Sequence, residues 1–405
     1  MKHDTKNLEK NNIAMSKKAV EACQIVWLSV YFFLFLSALG IAMPFLPVYL
    51  HNKGMSYSMI AVLASAYALT GFLTQAKIGH ISDILGTRKY VAVFCCVMLG
   101  SSYFFYMSAK SFLLFLILFI WSGVGFFSGM MLPQVIASDW ATAEQSTTRL
   151  FSVPRLWGTI GFIVALVIVS IFPKAAEGNR FLLLCGCLYI SSAFPMLMLK
   201  ENFITKTTKS MFRCASEVLK RDRTWLFLVC YLFFRMCESG TFSYLSLYLK
   251  ELGGDTSTFA IAYCISAASE APFIIITSRL IDRIGIKKPL IISFCVWPIR
   301  LFLLAMATTT HAVYWVQILH SITFGIMMVA SIAFVAEVAP KEMKGTAQGI
   351  HSATNAAAMT AGPLFMGIMS DHIGIGSSFK VMAALMIIIL VIFLIFVKEP
   401  NKRIV

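Results

Sequence analysis

Read from one charge cluster to the next, the chain breaks into twelve mostly apolar stretches. The first six lie near 25–50, 56–77, 90–109, 111–137, 152–172 and 181–199. The second six lie near 225–249, 257–277, 289–308, 311–337, 346–369 and 376–397. Each is close to the ~20 apolar residues that a helix needs to cross a bilayer. Alternation over ~10 residues, the mark of a membrane β-barrel strand, is absent. The pattern therefore predicts an all-α polytopic membrane protein with 12 transmembrane helices. The opening run, Ala22 to Leu50, carries no charge and exceeds the ~7–15 residues of a secretory h-region. It reads as an uncleaved first span.

Composition agrees with this and removes other classes. Hydrophobic residues make up 59% of the 405 and charged residues 13%, whereas soluble domains carry about 25% charged. A soluble multidomain enzyme and a disordered chain are both excluded. A net charge of +15 from 34 Lys and Arg would ordinarily raise the possibility of nucleic-acid binding. Their placement gives another reading. If the N-terminus is inside, 25 of them fall in inner segments and six in outer loops: Lys53, Lys110, Lys174, Arg180, Lys250 and Lys380. Cations gather in cytoplasmic loops, so both termini are expected in the cytoplasm of a multi-pass inner-membrane protein, with no nucleic-acid partner. Three arginines, Arg155, Arg235 and Arg300, remain inside spans. The ten cysteines show no Cys-x-x-Cys and no zinc spacing, which predicts buried hydrophobes with neither metal nor cofactor.

One motif occurs twice. After the second span the chain reads Gly79-x-x-x-Asp83-x-x-Gly86-x-Arg88-Lys89, and after the eighth Ser278-x-x-x-Asp282-x-x-Gly285-x-Lys287-Lys288. Corresponding positions differ by 199, about half the chain. A weaker echo, Gly367-x-x-x-Asp371-x-x-Gly374, closes the eleventh span. Small residues let helix ends approach one another, glycine permits a tight turn, and an aspartate can accept from a neighbouring helix N-terminus. The two basic copies are expected to form a releasable cytoplasmic latch between two halves. The polar stretch 200–224 lies between them.

The doubled motif and the twelve spans resemble the major facilitator superfamily. The resemblance covers residues 22–398 and implies two pseudo-symmetric six-helix bundles around a central cavity, working by alternating access. The expected divisions are a cytoplasmic N-terminus (1–21), an N-terminal bundle (22–199), a linker (200–224), a C-terminal bundle (225–398) and a cytoplasmic tail (399–405). The implied carrier is a monomer in the lipid bilayer.

Ionisable groups at membrane depth are costly and mark function by default. Arg155 opens the fifth span, with Phe162 two turns on along the same face. A cation beside a ring suits a planar or anionic solute. Glu270 sits deep in the eighth span beside Pro272, where a carboxylate able to take and release a proton is what a proton-coupled carrier needs. Arg300 and His320 lie mid-depth in spans nine and ten, and with Glu270 they are expected to form a relay. Arg235 and Glu238, three apart on span seven, are expected to pair, either as part of the solute site or as structure alone.

These residues narrow the resemblance. Pro44-Phe45-Leu46-Pro47 and the Asp83 motif are similar to the lactose permease branch, whose intramembrane Arg and His fall at Arg300 and His320 and whose sugar-binding Arg falls at Arg155. Its acidic partner falls near Ile136, close to Asp139; its stacking Trp falls at Phe162 and its proton-carrying Glu at Thr323. The stretch Arg155 to Phe162, Ser269-Glu270 and Thr346-Ala347-Gln348-Gly349 resemble nucleoside–proton symporters, whose tenth-span acid is Val329 here. Leu319-His320-Ser321-Ile322-Thr323-Phe324-Gly325, with Ser269-Glu270-x-Pro272, resembles the phenylpropionate permease family. The expected function is proton-coupled uptake of a small organic solute, such as an aromatic acid, nucleoside or sugar. A proton-driven exporter is the alternative within the fold, and a polytopic membrane enzyme or solute sensor the alternative outside it.

Overall fold

The computed structural model describes residues 2–143, 149–201, 219, 224–339 and 344–397. The expected linker and C-terminal tail lie almost wholly outside the described residues. Among the latter there are twelve long helices. The first six are α1 (Lys2–Asn52), α2 (Tyr57–Ile84), α3 (Lys89–Ser108), α4 (Phe112–Ala143), α5 (Arg149–Ile171) and α6 (Arg180–Met198). The second six are α7 (Thr224–Glu251), α8 (Thr256–Ile284), α9 (Lys287–Met306), α10 (Thr310–Val338), α11 (Lys344–Ile373) and α12 (Ile375–Phe396).

Lipid offers backbone groups no partners, so each span must satisfy its own within the helix. Short hydroxyls follow the same rule: Ser29 donates to Ile25 O, Ser37 to Phe33 O and Thr74 to Thr70 O. Packing between spans then rests on small residues. A Cβ at Gly158 would stand 3.2 Å from Phe32 Cβ, and one at Gly161 would stand 2.8 Å from Ser37 Oγ. Those glycines therefore serve the contact of α5 with α1 rather than leaving room for a solute.

Ten of the twelve helices carry a stretch long and apolar enough to cross a membrane among the described residues, α8 and α11 being the remaining two. Both lie where the bundles meet: α11 packs on α2, and α8 packs on α5. Polar residues there face protein and cavity rather than lipid.

The repeated motif needs one correction. Gly79–Asp83 and Ser278–Asp282 were expected to be loop, but α2 continues to Ile84 and α8 to Ile284. A helix does not stop at the membrane surface; it stops where the backbone turns. Gly86, Gly285 and Gly374 take φ of +64°, +85° and +80°, the left-handed region that glycine enters without a Cβ clash. All three copies of the motif therefore carry their aspartate on the last turns of a helix and their turn at the glycine.

The described residues join the bundles at one end. Tyr57, Ser58, Ala61 and Ser65, on one face of α2, meet α7 and α11. Phe45 of α1 packs on Phe259 of α8, and Ser257 donates to Ser170 O. Beyond Ser65, no hydrogen bond or ion pair from α2 reaches the other bundle among the described residues. At the end with the Gly86 and Gly285 turns, the described residues show no bond between the bundles.

Candidate transport site

The site is built from the bundle-facing sides of α5, α7, α8, α10 and α11. On α7, Arg235 Nη1 holds Glu238 Oε2 at 2.7 Å, as their spacing predicted. Arg235 Nε also donates to Asn355 Oδ1 of α11 at 2.8 Å, and its guanidinium lies 5.0 Å from the centre of the Phe324 ring. Phe324 stacks on His320 at 5.1 Å and 6°, and His320 on Phe242 at 5.6 Å. A column runs from cation to phenyl to imidazole to phenyl.

α10 is not a regular helix here. Ser321–Gly325 forms a π turn immediately after His320, a distortion common at functional sites. Its Gly325 packs closely on α8, since an added Cβ would stand 3.3 Å from Phe273 Cβ and 3.7 Å from Glu270 Cγ.

Glu270 is half-buried on α8. The charges acting on it are those of Arg155, Glu238 and Arg235. Arg155 is foremost among them and comes from the other bundle; Glu270 is in turn the charge acting on Arg155. Arg155 is exposed. Phe162 is half-buried against the core, and its backbone lies against α1 at Gly40.

Arg300 takes a different place from the expected relay. It is 1% exposed, donates to Gln317 Oε1 at 2.8 Å and Thr323 Oγ1 at 3.2 Å, and lies over Trp297. No hydrogen bond joins it to Glu270 or His320 among the described residues. The short α9–α10 connection does make those helices neighbours, but Arg300 reaches the residues three before and three after His320. His320 Nδ1 has no partner among the described residues. Of the arginines whose charge acts on Glu270, Arg155 is the one carried by the other bundle.

Gln317, Asn355 and Thr323 were missed as site residues because the search was confined to ionisable groups. Their signal was present: amides at membrane depth need partners as charges do. Asp139 has its side chain outside the described residues.

The bonds described for the first motif copy lie within its own bundle. Asp83 Oδ1 pairs with Arg88 Nη2 at 3.1 Å. The Arg88 N–H donates to Glu201 at 2.6 Å, as does that of Lys89, and the Lys89 ammonium donates to the Leu197 and Leu199 carbonyls. Asp282 and Lys288 are exposed, and Lys287 is half-buried. At the other end, Asp371 accepts from the N–H groups of Tyr57 and Ser58, each at 2.9 Å, and from the Ser58 hydroxyl. Tyr57 Oη donates to Glu251 at 2.6 Å, Tyr244 Oη to Tyr57 O at 2.6 Å, and Lys250 to Asn52.

A two-bundle helical chain with charged groups meeting at mid-depth and one closed end has counterparts. Residues 25–381 match the model of the MFS_1 like family. The chain belongs to that family. Maltose permease of Geobacillus stearothermophilus is 24% identical over 329 residues, 80% of this chain and 82% of that one. The probable 3-phenylpropionic acid transporter of Escherichia coli K12 is 22% identical over 361 residues, 86% of this chain and 92% of that one. Among solved structures, the nucleoside transporter NupG superposes with a TM-score of 0.81 at 19% identity, covering 93% of this chain and 99% of that one. As a member of this family the chain is an integral membrane transporter of the twelve-helix fold.

Proposed function

We propose that this transporter takes up a small organic solute together with a proton, and that Glu270 carries the proton. What supports the reading is Glu270 itself, a half-buried carboxylate on α8, where that helix packs on α5 of the other bundle, which carries Arg155. A change of charge there would alter how the halves attract one another. Arg155, with Phe162 nearby, would contact the solute; Arg235 and Glu238 would line the same space, tied to it through Asn355 and Phe324. Arg300 and His320 would act on Glu270 through α10 rather than by direct bonds. The sugar, aromatic-acid and nucleoside transporters among the relatives and fold neighbours support a small organic solute.

The basic loops favour a cytoplasmic placement of both termini and of the end with the Gly86 and Gly285 turns. The structure would then be the inward-facing state. Asp83 and Asp282, with Gly79, Gly86, Gly285 and their basic neighbours, would latch the cytoplasmic side in the opposite state.

In proteoliposomes, Glu270→Gln is expected to abolish accumulation driven by a proton gradient while sparing solute exchange. Unchanged accumulation would remove Glu270 from the mechanism. Reversing the gradient separates uptake from export.

A further inference from the structure

We propose that Arg300 is the centre of a buried anion site inside the second bundle. Its ligand is a monovalent anion of halide size, chloride in ordinary media, held by Arg300 Nε, Gln317 Nε2 and the Trp297 indole N–H. The site stands apart from the proton assigned to Glu270 and does not depend on it.

Arg300 on α9 is 1% exposed, while Trp297 on the same helix and Gln317 on α10 are fully buried. The three side chains touch. Arg300 Nη2 donates to Gln317 Oε1 at 2.8 Å, Nη1 donates to Thr323 Oγ1 at 3.2 Å, and the guanidinium carbon lies 4.8 Å from the centre of the Trp297 ring. Ser266 Oγ of α8 reaches the same Gln317 oxygen at 3.0 Å. Three donors are then left over. Arg300 Nε, Gln317 Nε2 and Trp297 Nε1 are all buried without a partner among the described residues. Because Oε1 binds Nη2, the Gln317 amide nitrogen is held covalently beside the guanidinium. Trp297 Nε1 belongs to the ring over which that guanidinium lies. Buried polar groups are almost always bonded, so three spare donors on touching side chains point to one shared acceptor.

That acceptor must also carry charge. A buried guanidinium is costly unless a negative group pairs with it. α9 packs on α8, α10 and α12, and no carboxylate of those helices bonds Arg300 among the described residues. Glu270 of α8 lies beside Gly325 of α10 instead. Glu238 of α7, whose charge acts on Arg300, is bonded to Arg235 at 2.7 Å. The Trp297 ring face gives a desolvated cation a partial counterweight only.

All three spare atoms are donors, which favours an anion over water. A water accepting from them would itself need acceptors, and the side-chain oxygens bonded to Arg300, Gln317 Oε1 and Thr323 Oγ1, are already engaged. His320 Nδ1 also lacks a partner among the described residues, but its ring is stacked between Phe242 and Phe324 and shares no bond with Arg300. The enclosure sets the size. Side chains this far from solvent leave no way out for an organic body, so the class is a single halide ion.

The test uses the full chain in detergent, in gluconate buffer of fixed ionic strength. Replacing gluconate with chloride or bromide is expected to raise the melting temperature by at least about 2 °C, saturating with concentration, as for any ligand bound by the folded state alone. Crystals grown in bromide are expected to show an anomalous peak within hydrogen-bond reach of Arg300 Nε and Gln317 Nε2. Gln317→Glu puts a carboxylate beside the guanidinium in place of the ion. It should melt in gluconate no lower than the parent chain and gain nothing from chloride. If that variant fails to fold, Trp297→Phe decides: it keeps the ring and removes one donor, so half-saturation should need at least about threefold more chloride. A melting temperature indifferent to both halides would mean that water serves the three donors and overturns the site. So would a bromide peak found only elsewhere, a chloride shift intact in Gln317→Glu, or an unchanged half-saturation in Trp297→Phe.

Discussion

The two ends of the bundles, which the basic loops mark as outer and inner, carry versions of one motif and use them differently. At the outer end Asp371, in the weakest copy, reaches across to the other bundle and caps the first turn of α2. At the inner end Asp83, in the fullest copy, pairs with Arg88 five residues on, and Asp282 stays exposed. A carboxylate on a helix end can serve its own turn or a neighbour's N-terminus, and which it does depends on whether the neighbour is near. The strength of a motif in sequence therefore says what a side chain can do, and the conformational state says which copy is doing it.

The largest test of that contrast is Gly367→Leu. A Cβ there would run into Tyr244 Oη and Ala61 Cβ and stand 2.7 Å from Tyr57 O; overpacking of this kind costs about 1–3 kcal/mol. The outer end should fail to close, transport should fall at least about tenfold, and a cysteine placed at Ser65 should gain reactivity toward a membrane-impermeant maleimide. Asp371→Ala comes next. Two N–H groups of α2 lose their acceptor, at about 0.5–2 kcal/mol for a lost cap, and outer labelling at position 65 should rise several-fold. Asp83→Ala should move that labelling the other way or leave it unchanged, since in this state Asp83 holds nothing in the other bundle. A rise equal to that of Asp371→Ala would mean that the two ends do not alternate.

The smallest effect concerns the start of α8 at the outer end. Asp255 accepts from the Thr258 hydroxyl at 2.6 Å and from its N–H at 2.8 Å. Those bonds hold its carboxyl below the usual carboxylate range. A depressed folded-state value means that the contribution is present above the unfolded value and fades as pH falls through the folded one. Asp255→Asn keeps a good cap, so melting at neutral pH should barely change. The variant should, however, lose part of the drop in melting temperature on acidification.

Much of this was legible in the chain. Apolar stretches between charge clusters located all twelve helices, because a bilayer imposes a minimum length on any span. Their ends were less visible: α2 and α8 outrun the predicted 77 and 277 by seven residues each, since helices continue in water until a turn residue stops them. The Arg235–Glu238 pair was legible from spacing along one helix. The Glu270–Arg300–His320 relay was expected from helices being neighbours, but adjacency of helices does not fix which faces meet. A π turn at Ser321–Gly325 changes the register of α10 locally, and no periodicity announces it.

What the sequence alone determined follows from solvent: span number, the basic-loop asymmetry and the list of charges that lipid would not tolerate unpaired. These are properties of each residue against water or hydrocarbon. What the tertiary structure decided is pairing. It brought Arg235 to Asn355, joined Asp371 to α2 and, among the described residues, left Asp83 and Asp282 without a bond to the other bundle. Those outcomes depend on the distance between groups more than 100 positions apart, which only the packing of the two bundles sets.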